Sequence, residues 1–257
     1  MRSALAVRLA RAYVRWKVRR GLGGLFVAGL GATRARLAEG PVVFAATHVA
    51  WWDGLVMLLV DEALGAEGHV LLEAPTLARL PWLSRLGALP LDRADPMRAR
   101  ADLRAAAAVL DGPGRAVWIF PQGRQRPPWL RPLGIAPGVG VLARMSRAPV
   151  VPVALTYAFR DDAAPAALVH LGAPVPADHL EDALSDGLAA IDRFLDPTRP
   201  HAMSGSDAGP APPDHGGGVA GGFTPPPQEA FAPLVAPPSG RADRGLGARL
   251  LARLGAT

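Results

Sequence analysis

A chain of 257 residues is long enough to bury one sizeable core, and half of it is hydrophobic. With no cysteine it has no disulfide framework, no thiolate nucleophile and no cysteine-based zinc site. Its net charge of +6 comes almost wholly from arginine, Lys17 being the sole lysine, and suits nucleic acid or an anionic membrane surface.

The first segment, residues 1–34, interleaves Arg2, Arg8, Arg11, Arg15, Lys17, Arg19 and Arg20 with Leu5, Val7, Leu9, Tyr13, Val14, Trp16 and Val18. This pattern predicts a basic amphipathic helix lying in a membrane interface, with the apolar, glycine-rich run 21–32 dipping beneath it. The alternative is a basic helix packed on the domain with a solvated face. No apolar run reaches the roughly 18 residues of a conventional membrane span. A signal peptide fits poorly, because the basic stretch is long and Thr33-Arg-Ala-Arg36 stands where a cleavage site would be.

Residues 35–197 then alternate short apolar runs with helical patterns. Strands are expected at 42–46, 69–72, 88–91, 117–120, 150–155 and 168–171. Most are continuously apolar, as strands covered on both faces are. Helices are expected at 55–64, 76–86 with an interruption at Pro81, 96–110, 137–147 and 178–195. The alternation implies an α/β fold with a largely parallel central sheet flanked by helices. Residues 198–240 are rich in glycine and proline and read as a disordered linker. Residues 241–257 place Leu246, Leu250, Leu251 and Leu254 among arginines, as a short basic amphipathic tail would.

Two stretches carry chemistry. His48 and Asp53 follow the apolar run 42–46. Inside one helix, residues five apart point about 140° away from each other. They converge only if His48 ends a strand and Asp53 opens the next helix. The carboxylate then holds one imidazole nitrogen and leaves the other free to take a hydroxyl proton. The plainer readings are a helix cap for Asp53 and an ordinary loop histidine for His48. The second stretch, Phe120-Pro-Gln-Gly-Arg124 with Arg126 beyond, is a strand end running into a turn loaded with guanidinium.

Together these stretches resemble the glycerolipid acyltransferase family (lysophosphatidic acid acyltransferases and relatives). Its His-x4-Asp motif is matched by His48 and Asp53. Its Phe-Pro-Glu-Gly-Thr-Arg motif is matched in part by Phe120, Pro121, Gln122 and Gly123. A glycine, alternating apolar residues and an arginine are matched from Gly87 to Arg93, and a Val-Pro-Val strand by Val151, Pro152 and Val153. The order holds across residues 40–155.

The resemblance implies transfer of a fatty acyl group from acyl-CoA or acyl carrier protein to a lipid hydroxyl. Lysophosphatidic acid or a related lysophospholipid is the lead acceptor. His48 would be the base, with Asp53 fixing its tautomer. Arg93 would contact a phosphate, and Phe120, Pro121, Gln122, Gly123 and Arg124 would line the substrate site. Many members carry an N-terminal membrane-associating helix pair, so the cytoplasmic face of the cell membrane is the expected location, with peripheral or monotopic attachment. No cofactor beyond the acyl donor is expected, no metal, and no nucleic-acid partner, since the basic residues lack aromatic interleaving. Oligomeric state is left open.

Two departures stand out. Gln122 replaces the family's glutamate, and Arg124-Gln125 replaces its Thr-Arg. They keep open a glycolipid or terpenoid alcohol as acceptor, or a non-catalytic lipid-binding relative.

Overall fold

The computed structural model describes residues 2–160, 163–196 and 230–236. Helix α1 (Ala4–Gly21) is capped by Ser3, whose hydroxyl accepts from the Ala6 amide. One stripe of it, Val7, Val14 and Val18, is buried. Leu5, Leu9, Tyr13 and Trp16 form a second apolar stripe that is exposed.

The run 21–32 does not dip beneath this helix. It supplies strand β1 (Leu25–Ala28), which pairs with the sheet on both sides. Gly29 then turns at φ 82, where a Cβ would overlap the Leu171 carbonyl, and helix α2 (Leu30–Glu39) follows. An apolar run this short satisfies its backbone by pairing with other strands. The sheet thus begins before residue 35.

The remaining elements are β2 (Val42–Ala46), α3 (Asp53–Leu64), β3 (Glu67–Glu73) and α4 (Ala74–Arg79). A 3-10 turn at Pro81–Leu86, β4 (Ala88–Leu91), α5 (Pro96–Ala108) and β5 (Arg115–Ile119) come next. Then follow α6 (Gly138–Ser146), β6 (Val150–Ala158), β7 (Ala166–Leu171), a 3-10 turn at Ala177–His179, α7 (Leu180–Leu195) and β8 (Ala232–Val235). Among the described residues the strands form one 8-stranded sheet in the order β4-β3-β5-β2-β6-β7-β1-β8.

The block β4-β3-β5-β2-β6 is parallel throughout, as is β1 with β7. β7 runs antiparallel to β6, because the connection between them is too short for a crossover helix. β8 runs antiparallel to β1. It falls inside the stretch expected to be a disordered linker. Val235 is buried there and Phe231 stacks on Phe194 at 4.7 Å, which anchors this piece. Pro233 is tolerated because β8 is an edge strand. The rest of the expected linker and the 241–257 tail lie outside the described residues.

The core has two layers, one on each sheet face. One joins α1, α2 and α3 to Phe44, Ala46, Trp118, Val151, Val153 and Leu155. The other joins α5, α6 and α7 to Val43, Ala45, Val117, Ile119 and Leu168. Each fully buried aliphatic side chain contributes about 1.5–3 kcal/mol. Among the described residues, no helix is long and apolar enough to cross a membrane.

Candidate active site

In a parallel block, side chains just past the strand C-termini gather at one edge. His48 follows β2, Glu73 ends β3, Arg93 follows β4 and Gln122 follows β5. Thr47 bolts the end of β2 to β6. Its hydroxyl donates to the Leu155 carbonyl at 2.9 Å and accepts from the Leu155 amide at 2.8 Å.

His48 lies just past β2 and Asp53 opens α3, the condition for convergence, and the two meet with Nδ1 of His48 2.7 Å from Oδ2 of Asp53. The Asp53 carboxylate is fully buried, while the His48 side chain is 25% exposed. Asp53 is not a simple helix cap. Its Oδ2 also accepts from the amides of Val49 (2.7 Å) and Ala50 (3.0 Å), which lie before the helix. Its Oδ1 accepts from the Tyr157 hydroxyl at 2.7 Å. The carboxylate therefore folds the 48–52 turn around itself and holds the imidazole by one nitrogen.

The 120–126 loop grips His48 by its backbone. The His48 amide donates to Gln122 Oε1 at 2.6 Å, and the Arg126 amide donates to the His48 carbonyl at 2.8 Å. Gln122 is itself buried, and its Nε2 donates to the Leu133 carbonyl at 3.3 Å. An amide does both jobs, whereas an ionised carboxylate only accepts. So Gln122 reaches the histidine backbone, with both ends of its side chain bonded inside the protein. The Phe120 ring packs on the imidazole, centroids 4.6 Å apart. Pro121 is buried beneath the turn, its carbonyl accepting from Ala136.

Arg93 reaches the same loop. Its Nη1 donates to the Gly123 carbonyl at 2.7 Å and to Glu73 at 3.3 Å. Its salt-bridge partner is thus Glu73; Asp92 and Asp95 are taken by Arg98. Gly123 sits at φ +63, and a Cβ there would overlap the Arg93 guanidinium. Glycine is required here both for conformation and for that close approach. The Gly123 amide closes a turn on the Phe120 carbonyl. Arg124 is exposed at the rim.

A cleft of about 290 Å³ opens beside the pair, lined by Val49, Gln125, Arg126, Trp129, Thr156 and Tyr157 among others. Trp51 is exposed and stacks on Trp52, which packs against Gly21 of α1; Lys17 lies over Trp51 at 5.8 Å. The turn carrying His48 is thus joined to the end of α1. His69 and His170 sit in strands, and burial lowers both below the ordinary histidine value. Among the described residues, no cluster of histidine and acidic groups could hold a metal ion.

The sequence reading missed Tyr157. Strand alternation was the signal available: Val151, Val153, Leu155 and Tyr157 share the sheet face that α3 covers.

Comparison with known protein families finds that residues 29–156 match the family model described as Acyltransferase. The matched stretch contains His48, Asp53, Arg93 and residues 120–124, and it stops just short of Tyr157. No curated protein matches the chain significantly.

Proposed function

Because the chain belongs to the glycerolipid acyltransferase family, we propose that it transfers a fatty acyl group from acyl-CoA or acyl carrier protein to a lipid hydroxyl, with His48 as general base. The observation that carries this reading is the 2.7 Å contact between His48 and a buried Asp53, beside an open cleft. With Nδ1–H donated to Asp53, the Nε2 lone pair takes the acceptor's hydroxyl proton. The oxygen attacks the thioester carbonyl, and the tetrahedral intermediate expels the thiolate, which recovers the proton from His48. No covalent acyl-enzyme is needed, in keeping with a chain that has no cysteine.

The lead acceptor is lysophosphatidic acid or a related lysophospholipid, with Arg93 at the phosphate. A second reading, a glycolipid or another phosphate-free alcohol, is favoured by one observation: Arg93 Nη1 is already engaged by Gly123 and Glu73. Purified protein with radiolabelled acyl-CoA and each acceptor class separates them. On the lead reading, label enters phosphatidic acid or another diacyl phospholipid, and Arg93→Ala raises the acceptor KM about tenfold. Label entering only phosphate-free lipids, or an unchanged KM, favours the second. Label entering no lipid would sink both.

We place the protein at the cytoplasmic membrane face through α1. Its exposed Leu5, Leu9, Tyr13 and Trp16 lie among arginines that would meet anionic headgroups. Co-sedimentation with phosphatidylglycerol vesicles should fall several-fold in Leu9→Asp/Trp16→Asp. Equal binding by that variant would remove α1 as the anchor.

A further inference from the structure

The Asp53 carboxylate divides its bonds unevenly. Oδ2 accepts from the Val49 amide, the Ala50 amide and His48, whereas Oδ1 accepts from Tyr157. The space beneath Asp53, walled by Met57, Trp118, Phe120 and Leu155, has no room for a water, so no donor reaches the carboxylate from that side. We propose that Tyr157 is a positioning residue: its hydroxyl locks Asp53 so that Oδ2 stays aimed at His48. The kinetic part of this assignment rests on His48 being the base; the geometric part does not.

The groups around the carboxylate make the case. Asp53 is fully buried, so Oδ1 without a donor would be an orphaned charged oxygen. From the helix side come the turn amides and the imidazole, and from the sheet side comes Tyr157 on β6. The other polar and charged side chains nearby, Gln122 and Arg126, bond to the Leu133 carbonyl, and their loop holds the His48 backbone. Tyr157 suits the role chemically. Burial, then the charge of Asp53, pushes its phenol far above the ordinary tyrosine value, so it remains a donor throughout the working pH range. It also lines the cleft, between the buried carboxylate and the place where substrate would enter.

Removing the hydroxyl leaves the His48–Asp53 pair with one donor fewer. Whichever partner then carries it, the pair holds its last proton more tightly, and the base is freed at higher pH. In Tyr157→Phe the acid limb of the pH–rate profile should therefore move up by about one unit, a tenfold change in proton affinity. Activity should fall by up to about tenfold on the acid side of the limb and largely recover on the alkaline side. A uniform loss with an unmoved limb would show a merely structural tyrosine and overturn the proposal.

A readout without turnover guards against loss of activity for other reasons. The Nδ1 proton of His48, followed by NMR in the full chain, should shift in Tyr157→Phe. In an Asp53→Asn background the same substitution should add nothing. An unshifted resonance, or an equal shift in both backgrounds, would refute the positioning role. If His48→Ala keeps full activity while the resonance still responds to Tyr157, the base assignment fails and the Tyr157 assignment stands.

Discussion

Helix α3 carries two aspartates sealed from water, and the protein treats them oppositely. Asp53 and Asp61 are 0% and 2% exposed. Asp53, at the helix start, accepts from two amides, an imidazole and a phenol. The Asp61 side chain accepts from the indole of Trp118 at 2.8 Å and presses against Gly68. Burial pushes Asp61 up to about 7, only partly offset by Trp118, Arg11 and Arg2. The contrast teaches that burial alone does not make a working carboxylate. Asp53 has the donors that fix it against the His48 imidazole, while Asp61 mainly ties α3 to β5.

The largest way to break this comparison is Asp53→Asn. An amide can present an N–H toward the imidazole and favours the wrong tautomer, so acyl transfer should fall about a thousandfold or more. Activity within tenfold of wild type would mean that the four donors serve folding alone.

The comparison sharpens at Asp61 through pH. Its folded value of about 7 lies above its ordinary 3.8, so the folded chain keeps a proton there that the unfolded chain releases. That contribution is fully present below pH 4 and is lost as pH rises through 7. Denaturant midpoints measured from about pH 5 to 8 should drop in the wild type and flatten in Asp61→Asn, which keeps an acceptor for Trp118. At pH 8 the variant should be more stable by a few kcal/mol. Parallel curves for the two proteins would mean that Asp61 is ionised in the fold throughout.

The smallest effect belongs to the loop that holds the His48 backbone. Gln122→Leu leaves the His48 amide without its partner, and activity should fall about tenfold with a stability loss of about 1–2 kcal/mol. A variant as active as wild type would show that the turn is held well enough by Asp53 alone.

Much of this was legible in the chain. Strands β2 and β4 lie where their apolar runs place them, and His48 meets Asp53 across the strand-to-helix turn that was the condition for their converging. What was missed has physical causes. β3 and β5 begin earlier than their apolar runs, since Glu67 and Arg115 are register partners whose charges pair at 2.6 Å. β1 is apolar and glycine-rich, so by composition it looks like a membrane-dipping segment. β8 is a short strand hidden in a glycine- and proline-rich average. The internal bonds of Gln122 were beyond reach, because Leu133 and His48 are neighbours only in the fold.

The central claim is that the imidazole of His48 removes the acceptor's proton. Single-turnover transfer of radiolabelled acyl from acyl-CoA to a lysophospholipid, wild type against His48→Ala at matched thermal stability, tests it most directly. The account predicts labelled lipid with the wild type and a loss of several orders of magnitude in the variant. Equal label in both would contradict it.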